Sequence, residues 1–404
     1  MNNKVSGWCL VSMASIPLVM TLGNSMLIPV LPIFEKKVGI TSFQSSTIIT
    51  SYSIAAIILI PIAGYLSDRF GRKMIILPSL VLAFIGGLIA GFASWKLEEP
   101  FLWITIGRVL QGMGAAGATP IILPLVGDLY KDDDAKASSC LGIIETSNTF
   151  GKVLSPILGA AFAAVLWFLP FFSISFFSLI SIVLVFFFIQ VPKGGEEKPR
   201  PFKQFLQKTK EIFKREGAWL YPVFLIGAYA MLVLFAVLFF MSDMLEKVHD
   251  IKGIKKGFVL AVPLFTLCMS AFITGRKIKG DTDVMKKVLL FSLLTAAGSV
   301  VFTGYMHERL VWLLVVTSIL GTSIGAMLPT LDALITEGIE KEERGTITSF
   351  YSSSRFIGVA AGPPLMSLLM KEYMNVSYLA AGAAGALLFI IVWKLVQPDN
   401  QKTA

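Results

Sequence analysis

The chain has 404 residues, of which 55% are hydrophobic and 15% charged, with a mean hydropathy of +0.75 and a net charge of +9. That balance excludes an ordinary soluble domain, and it excludes nucleic acid as the partner of the basic residues, which lie in short stretches between apolar runs. Cys9, Cys140 and Cys268 are scattered among apolar neighbours, and His249 and His307 fall in loops, so no disulfide framework, metal centre or catalytic triad is expected.

Apolar runs long enough to cross ~30 Å of hydrocarbon as helices recur twelve times, near residues 8–31, 45–66, 74–94, 101–127, 137–163, 165–190, 219–245, 254–276, 286–306, 309–335, 345–370 and 376–398. The first has one lysine ahead of it and no small-residue cleavage site, so it reads as a span that is retained. It carries Asn24 and no acid before Glu35. Between the second and third runs lies Gly64-Tyr65-Leu66-Ser67-Asp68-Arg69-Phe70-Gly71-Arg72-Lys73. Asp68 closes one helix, Gly64 and Gly71 let the chain turn, and Arg69, Arg72 and Lys73 crowd one surface. The fourth run reads Gly107-Arg108-Val109-Leu110-Gln111-Gly112-Met113-Gly114-Ala115-Ala116-Gly117, a strip of small residues suited to close helix packing. Arg108 stands out within it, because an ionised group inside a span costs several kcal/mol unless it is paired or faces water. Asp128 follows at the end of the same run.

The fifth run carries Glu145, Asn148 and Lys152, spaced three and four apart and therefore on one helix face. Such a stripe predicts a water-lined cavity or a polar contact with another helix. Gly151-Lys152-Val153-Leu154-Ser155-Pro156-Ile157-Leu158-Gly159 continues it. The long polar stretch 192–217 divides the chain into halves of six spans. Phe202, Phe205, Leu206 and Phe213 recur there at helical spacing among lysines, which predicts an amphipathic helix on the inner leaflet. In the second half, Arg355 closes a Ser352-Ser353-Ser354-Arg355 run ahead of Gly362-Pro363-Pro364 and needs an acid; Asp332 lies at compatible depth in the preceding span.

With the N-terminus inside, 23 of the 35 Lys and Arg residues fall on the inner side and nine on the outer, with Arg108, Lys152 and Arg355 left in spans. This orientation follows the positive-inside rule. One loop disagrees, carrying Lys247, Lys252, Lys255 and Lys256 on the outer side, although its neighbours Glu246, His249 and Asp250 dilute it. The halves repeat each other: Gly112 and Gly321, Pro120 and Pro329, and Asp128 and Glu337 are each 209 positions apart, and Asp132-Asp133-Asp134 and Glu342-Glu343 follow in turn.

The charged turn from Gly64 to Lys73 closely resembles the loop signature that joins helices 2 and 3 in the major facilitator superfamily. The stretch from Gly107 to Gly117 resembles the second signature of its proton-coupled drug exporters, in which the arginine is associated with proton transfer. Gly151, Ser155, Pro156 and Gly159 resemble the antiporter signature of the exporter branch, with Ser155 and Ala160 in place of two glycines. The resemblance implies an all-α integral membrane protein of twelve transmembrane helices in two pseudo-symmetric six-helix bundles, residues 1–190 and 219–404, joined by a cytoplasmic linker over 191–218.

It further implies a proton-coupled secondary transporter that exports small amphipathic compounds, in the manner of multidrug efflux, by alternating access. A dedicated exporter of one metabolite, siderophore or glycolipid is the alternative. A membrane-embedded enzyme is remote, since no nucleophile, base and metal constellation is gathered anywhere. The expected partners are a small-molecule substrate, protons and membrane lipid, with no cofactor. The expected setting is a monomer in a bacterial cell membrane with both termini cytoplasmic. Glu145, Asp332 and Arg108 are then the candidates for proton coupling. Gly64, Asp68, Arg69, Gly71, Arg72 and Asp128 form the gating cluster, and Asn24, Asn148, Lys152 and Arg355 are the embedded polar candidates.

Overall fold

The computed structural model describes residues 7–130, 134–189, 202–278, 281–306, 308–369 and 374–395. Every regular element among them is helical. The first span is α1 (Gly7–Ser25), a 3-10 turn (Ile28–Val30) and α2 (Leu31–Val38), broken where Pro29 and Pro32 remove backbone donors. Next come α3 (Ser42–Phe70) and α4 (Arg72–Lys96). The fourth span is α5 (Phe101–Ala118) and α6 (Ile122–Leu129), interrupted at Pro120. α7 (Asp134–Val165) and α8 (Leu169–Phe188) complete the first six.

The second six are α9 (Phe202–Lys247), α10 (Gly253–Lys277), α11 (Thr282–Met306), α12 (Leu310–Gly338), α13 (Lys341–Leu369) and α14 (Met374–Leu395). Eleven of the twelve spans are long and apolar enough to cross a membrane by composition. The other, α13, holds Arg355 and a serine run, which lower its hydropathy. A Cβ on Gly358 or Gly362 would overlap the carbonyl oxygen of Ala228 or approach that of Leu232, so α13 lies directly on the α9 backbone.

The chain divides into two compact units, Met1–Leu206 and Gln207–Ala404. In the first, α4 packs on α5 and α8, α3 on α5, and α1 on α7 and α8; in the second, α11 packs on α12 and α14, and α10 on α12. The pairings of α4 with α5 and α8 and of α3 with α5 thus recur six spans later, and individual contacts recur with them. A Cβ on Gly112 would collide with the Tyr52 carbonyl, and one on Gly321 with the Pro263 carbonyl. Lys73 Nζ donates to the carbonyls of Phe186 (2.8 Å) and Ile189 (2.7 Å) at the end of α8; Lys286 Nζ donates to that of Trp393 (3.0 Å) at the end of α14. Each lysine supplies donors and positive charge where helix carbonyls are unpaired. Ser147 Oγ donates to Ala14 (3.0 Å) and Ser354 Oγ to Phe224 (3.3 Å), joining the fifth span of each half to the first.

The amphipathic stretch is helical from Phe202 and runs without a break into the seventh span; residues 190–201 lie outside the described set. Phe213 faces protein, its ring 5.7–5.8 Å from those of Tyr221, Phe224 and Phe350. Buried Glu343, just inside α13, accepts from Arg215 at 2.6 Å and lies 3.7 Å from Lys208, which draws this face inward. Asp132 and Asp133 of the first acidic run are outside the described residues. The discordant lysine loop is largely neutralised: Lys247 meets Asp243 at 2.7 Å, Lys252 pairs with Asp250, and Lys256 meets Glu246 at 2.8 Å. The hydrogen bond and charge of Asp250 raise the Lys252 pKa.

Candidate functional site

Three polar centres stand out within the spans among the described residues. The first is built on α5. Gly107 and Gly114 have no room for a side chain against α4, nor Gly112 against α3, so the three helices close around the intervening residues and exclude water. Arg108 is held there with 0% exposure. Its Nε donates to Ile48 O (3.0 Å), Nη1 to Gly23 O (2.9 Å) and Gln111 Oε1 (2.5 Å), and Nη2 reaches Asn24 Oδ1 at 3.5 Å. The guanidinium carbon sits 4.5 Å from the centre of the Tyr52 ring. All these partners are neutral: carbonyl dipoles and a π face stabilise the charge instead of a carboxylate. Gly23 is available because it lies in the last turn of α1, where the helix no longer uses its carbonyls. Gln111 Nε2 is buried with no hydrogen-bond partner among the described residues.

One turn earlier on α1 the second centre begins. Thr21 Oγ1 donates to Asn148 Oδ1 (2.5 Å), and Asn148 Nδ2 donates to both carboxylate oxygens of Glu145 (3.2 and 3.3 Å). Glu145 is half-buried. Lys152, on the same face, is buried. Thr21 and Asn24 are three residues apart, about 4.5 Å along α1, so a single turn of α1 connects the arginine nest to the carboxylate. The rest of the α7 motif serves packing. Gly159 lies against the Met26 carbonyl, Gly151 against Leu18 and Thr21, and Ser155 Oγ bonds its own helix at Gly151 O (2.7 Å); Pro156 sits within α7.

The third centre is in the second unit, where Arg355 Nη1 stands 3.8 Å from Asp332 Oδ1 and the guanidinium 5.6 Å from the Tyr351 ring centre. Both charged side chains are partly open, 19% for Arg355 and 39% for Asp332.

The α3–α4 turn gathers a separate charge cluster. Gly71 adopts φ +98°, a conformation that glycine takes without strain, and this turns Arg72 back. Arg72 Nε donates to Asp128 Oδ2 (3.0 Å) and Nη1 to Ser67 Oγ (2.8 Å) and to Asp68. Ser67 Oγ donates to Gly64 O (2.8 Å), while Arg69 is exposed against the Phe70 ring.

Gln111, Thr21, Tyr52 and Tyr351 enter these sites without having been singled out from the sequence. Gln111 carried a usable signal, since it follows Arg108 by three residues on one face. Thr21 and Tyr52 are ordinary span residues until the tertiary structure brings them to Asn148 and Arg108.

The sequence profile of the Major Facilitator Superfamily matches residues 13–282 and 280–404. The chain is 52% identical, over 90% of both sequences, to the bacillibactin exporter of Bacillus subtilis (strain 168). It is 24% identical to Multidrug resistance protein 2 of the same organism, over 94% of this chain and 93% of that one. Among solved structures, a D-xylose-proton symporter superposes with a TM-score of 0.77 at 16% identity, over 98% of this chain and 99% of that one, which speaks for the fold. The profile covers both halves and a half-identical relative covers nine-tenths of the chain: this protein belongs to the major facilitator superfamily.

Proposed function

We propose that the protein is a proton-coupled exporter dedicated to a siderophore. The observation that carries this reading is the 52% identity to a bacillibactin exporter across nine-tenths of both chains, against 24% to a multidrug protein of comparable coverage. In this reading the bundles 1–190 and 219–404 rock about the linker to expose the substrate site alternately. The protein works as a monomer in a bacterial cell membrane, with its termini and the α3–α4 turn in the cytoplasm. No enzymatic step is involved. Glu145 carries the proton, Arg108 fixes the adjoining region of α1 by its charge, and the Asp68–Arg72–Asp128 cluster holds one end state.

Multidrug-type efflux of amphipathic compounds is the second reading, supported by the nearly full-length similarity to Multidrug resistance protein 2. Expression of this chain in Bacillus subtilis lacking its bacillibactin exporter separates the two. Restored, uncoupler-sensitive secretion of bacillibactin under iron limitation, with unchanged drug and dye susceptibility, is the expected result. Unrestored secretion together with raised drug tolerance would replace the dedicated reading with the multidrug one.

A further inference from the structure

α9 is longer than a span requires. Its 46 residues reach about 69 Å at 1.5 Å per residue, against ~30 Å of hydrocarbon. The 26 residues from Gly217 to Ser242 carry no charge and account for the crossing. The helix from Phe202 to Glu216 therefore runs on beyond the hydrocarbon, on the cytoplasmic side in the orientation proposed above.

This extension has two unlike faces. Thr209 and Ile212 are buried, Phe213 packs on Phe350, and Lys208 and Arg215 turn to Glu343. Lys203, Gln207, Lys210 and Lys214 are all exposed and fall within about 60° of one another around the helix. Their three lysines form no ion pair among the described residues, in contrast to Lys208 and Arg215. Glu211 stands at the edge of this face and is its one acid.

The lysine face continues into the membrane as Tyr221 and Leu225, which are 55% and 54% exposed. Large apolar side chains left open within a span look onto lipid, and a tyrosine at the end of an uncharged run marks the interface. From Tyr221, Lys214 is about 10 Å along the helix and Lys210 about 16 Å, distances that lysine side chains shorten by reaching back toward the headgroups. Lys203, about 27 Å away, acts only through its field.

We infer that the Lys210–Lys214 face of α9 is a docking surface for anionic phospholipid headgroups of the inner leaflet, whose phosphate oxygens the two ammonium groups share. A lipid fits this face better than a soluble anion, because the apolar strip of Tyr221 and Leu225 directly above the lysines takes the acyl chain. Docking there ties α9 to the leaflet, and with it the inner end of α13 through Arg215 and Glu343. The inference goes beyond the export reading and takes from it only the sidedness of the membrane.

The test is equilibrium binding of phosphatidylglycerol and phosphatidylcholine of matched chains to the purified full chain in detergent, read by native mass spectrometry. The wild type is expected to prefer phosphatidylglycerol, and added salt should narrow the preference. Replacing both lysines, Lys210→Gln with Lys214→Gln, should weaken phosphatidylglycerol binding by roughly 10- to 30-fold, at about fivefold per lysine. Phosphatidylcholine binding should not change and reports that the variant is folded. Lys210→Arg with Lys214→Arg should keep the preference, and Lys203→Gln should cost less than either glutamine at 210 or 214. Lys277→Gln with Lys287→Gln removes two exposed lysines from the inner ends of α10 and α11 and should leave the preference in place. A preference that survives in the α9 glutamine pair, or that falls as far in the α10–α11 pair, would overturn the inference. So would glycerol phosphate binding as tightly as phosphatidylglycerol, which would make the lysines a site for a soluble anion.

Discussion

Replacing Glu246 tests the energetics of the loop that breaks the charge rule. Lys256 and Glu246 meet at 2.8 Å with side-chain exposures of 1% and 6%. Removing the carboxylate leaves an ammonium group buried without its main compensation, which costs about 3–5 kcal/mol. The Lys252–Asp250 pair in the same loop is 58% and 83% exposed, and solvent screening leaves pairs of that kind little to contribute. At about 2–4 °C per kcal/mol for a unit of this size, Glu246→Ala should lower the unfolding temperature by roughly 6–20 °C, and Asp250→Ala should leave it nearly unchanged. Replacing both buried partners with leucine should recover most of the loss, because the desolvation cost disappears with the charges. The assay is thermal unfolding of the purified protein in detergent, followed by size-exclusion fluorescence. Equal shifts for the two single variants, or a double variant as unstable as Glu246→Ala, would refute the reasoning.

Asp68→Asn should slow turnover in proteoliposomes by about tenfold or more at unchanged expression, because it loosens Arg72 from one of two acids; unchanged turnover would remove the cluster from the transport cycle. Gly112→Val and Gly321→Val should both abolish folded yield, since each side chain would drive into a neighbouring carbonyl. Gly298→Ala, with open space around it, should be neutral or stabilising by about 0.5–1 kcal/mol. A well-folded Gly321→Val would break the structural equivalence of the two halves. Arg108→Lys should fail to rescue transport in cells, because one ammonium cannot reach the four acceptors on α1, α3 and α5 that the guanidinium spans.

The architecture was legible because a membrane span writes its signature locally. Length and hydropathy located the helices, and the 209-residue register joining Gly112 to Gly321 reappears as two glycines packed on the carbonyls of Tyr52 and Pro263. The turn from Gly64 to Lys73 was legible for the same reason, its residues being close in sequence. What escaped depends on distant partners. That Arg108 is satisfied by carbonyls 85 and 60 positions away follows from the break in α1 and the closeness of α3, and neither shows in the pattern of the fourth run. The lysines after the seventh span stand against the charge rule, and Glu246 and Asp250, the acids beside them in sequence, are the partners of Lys256 and Lys252, whereas the pairing of Lys247 with Asp243 needed the helix register. Lys73 and Lys286 looked like loop charges and are helix caps. Phe202, Phe205, Leu206 and Phe213 are spaced for a membrane surface, and the contact of Phe213 with Phe350, 137 positions on, does not show in that spacing.

Proton-driven export of a siderophore through a site that includes Glu145 is tested most directly in everted proteoliposomes, whose lumen stands for the cell exterior. The lumen is made acidic, bacillibactin is added to the bath, and accumulated substrate and lumenal pH are recorded together. The account predicts accumulation against the substrate gradient with simultaneous alkalinisation of the lumen, both lost on adding an uncoupler. Glu145→Gln should retain downhill movement and lose accumulation and the pH change. Accumulation that ignores the pH gradient, or a Glu145→Gln variant that still concentrates bacillibactin as protons leave, would contradict it.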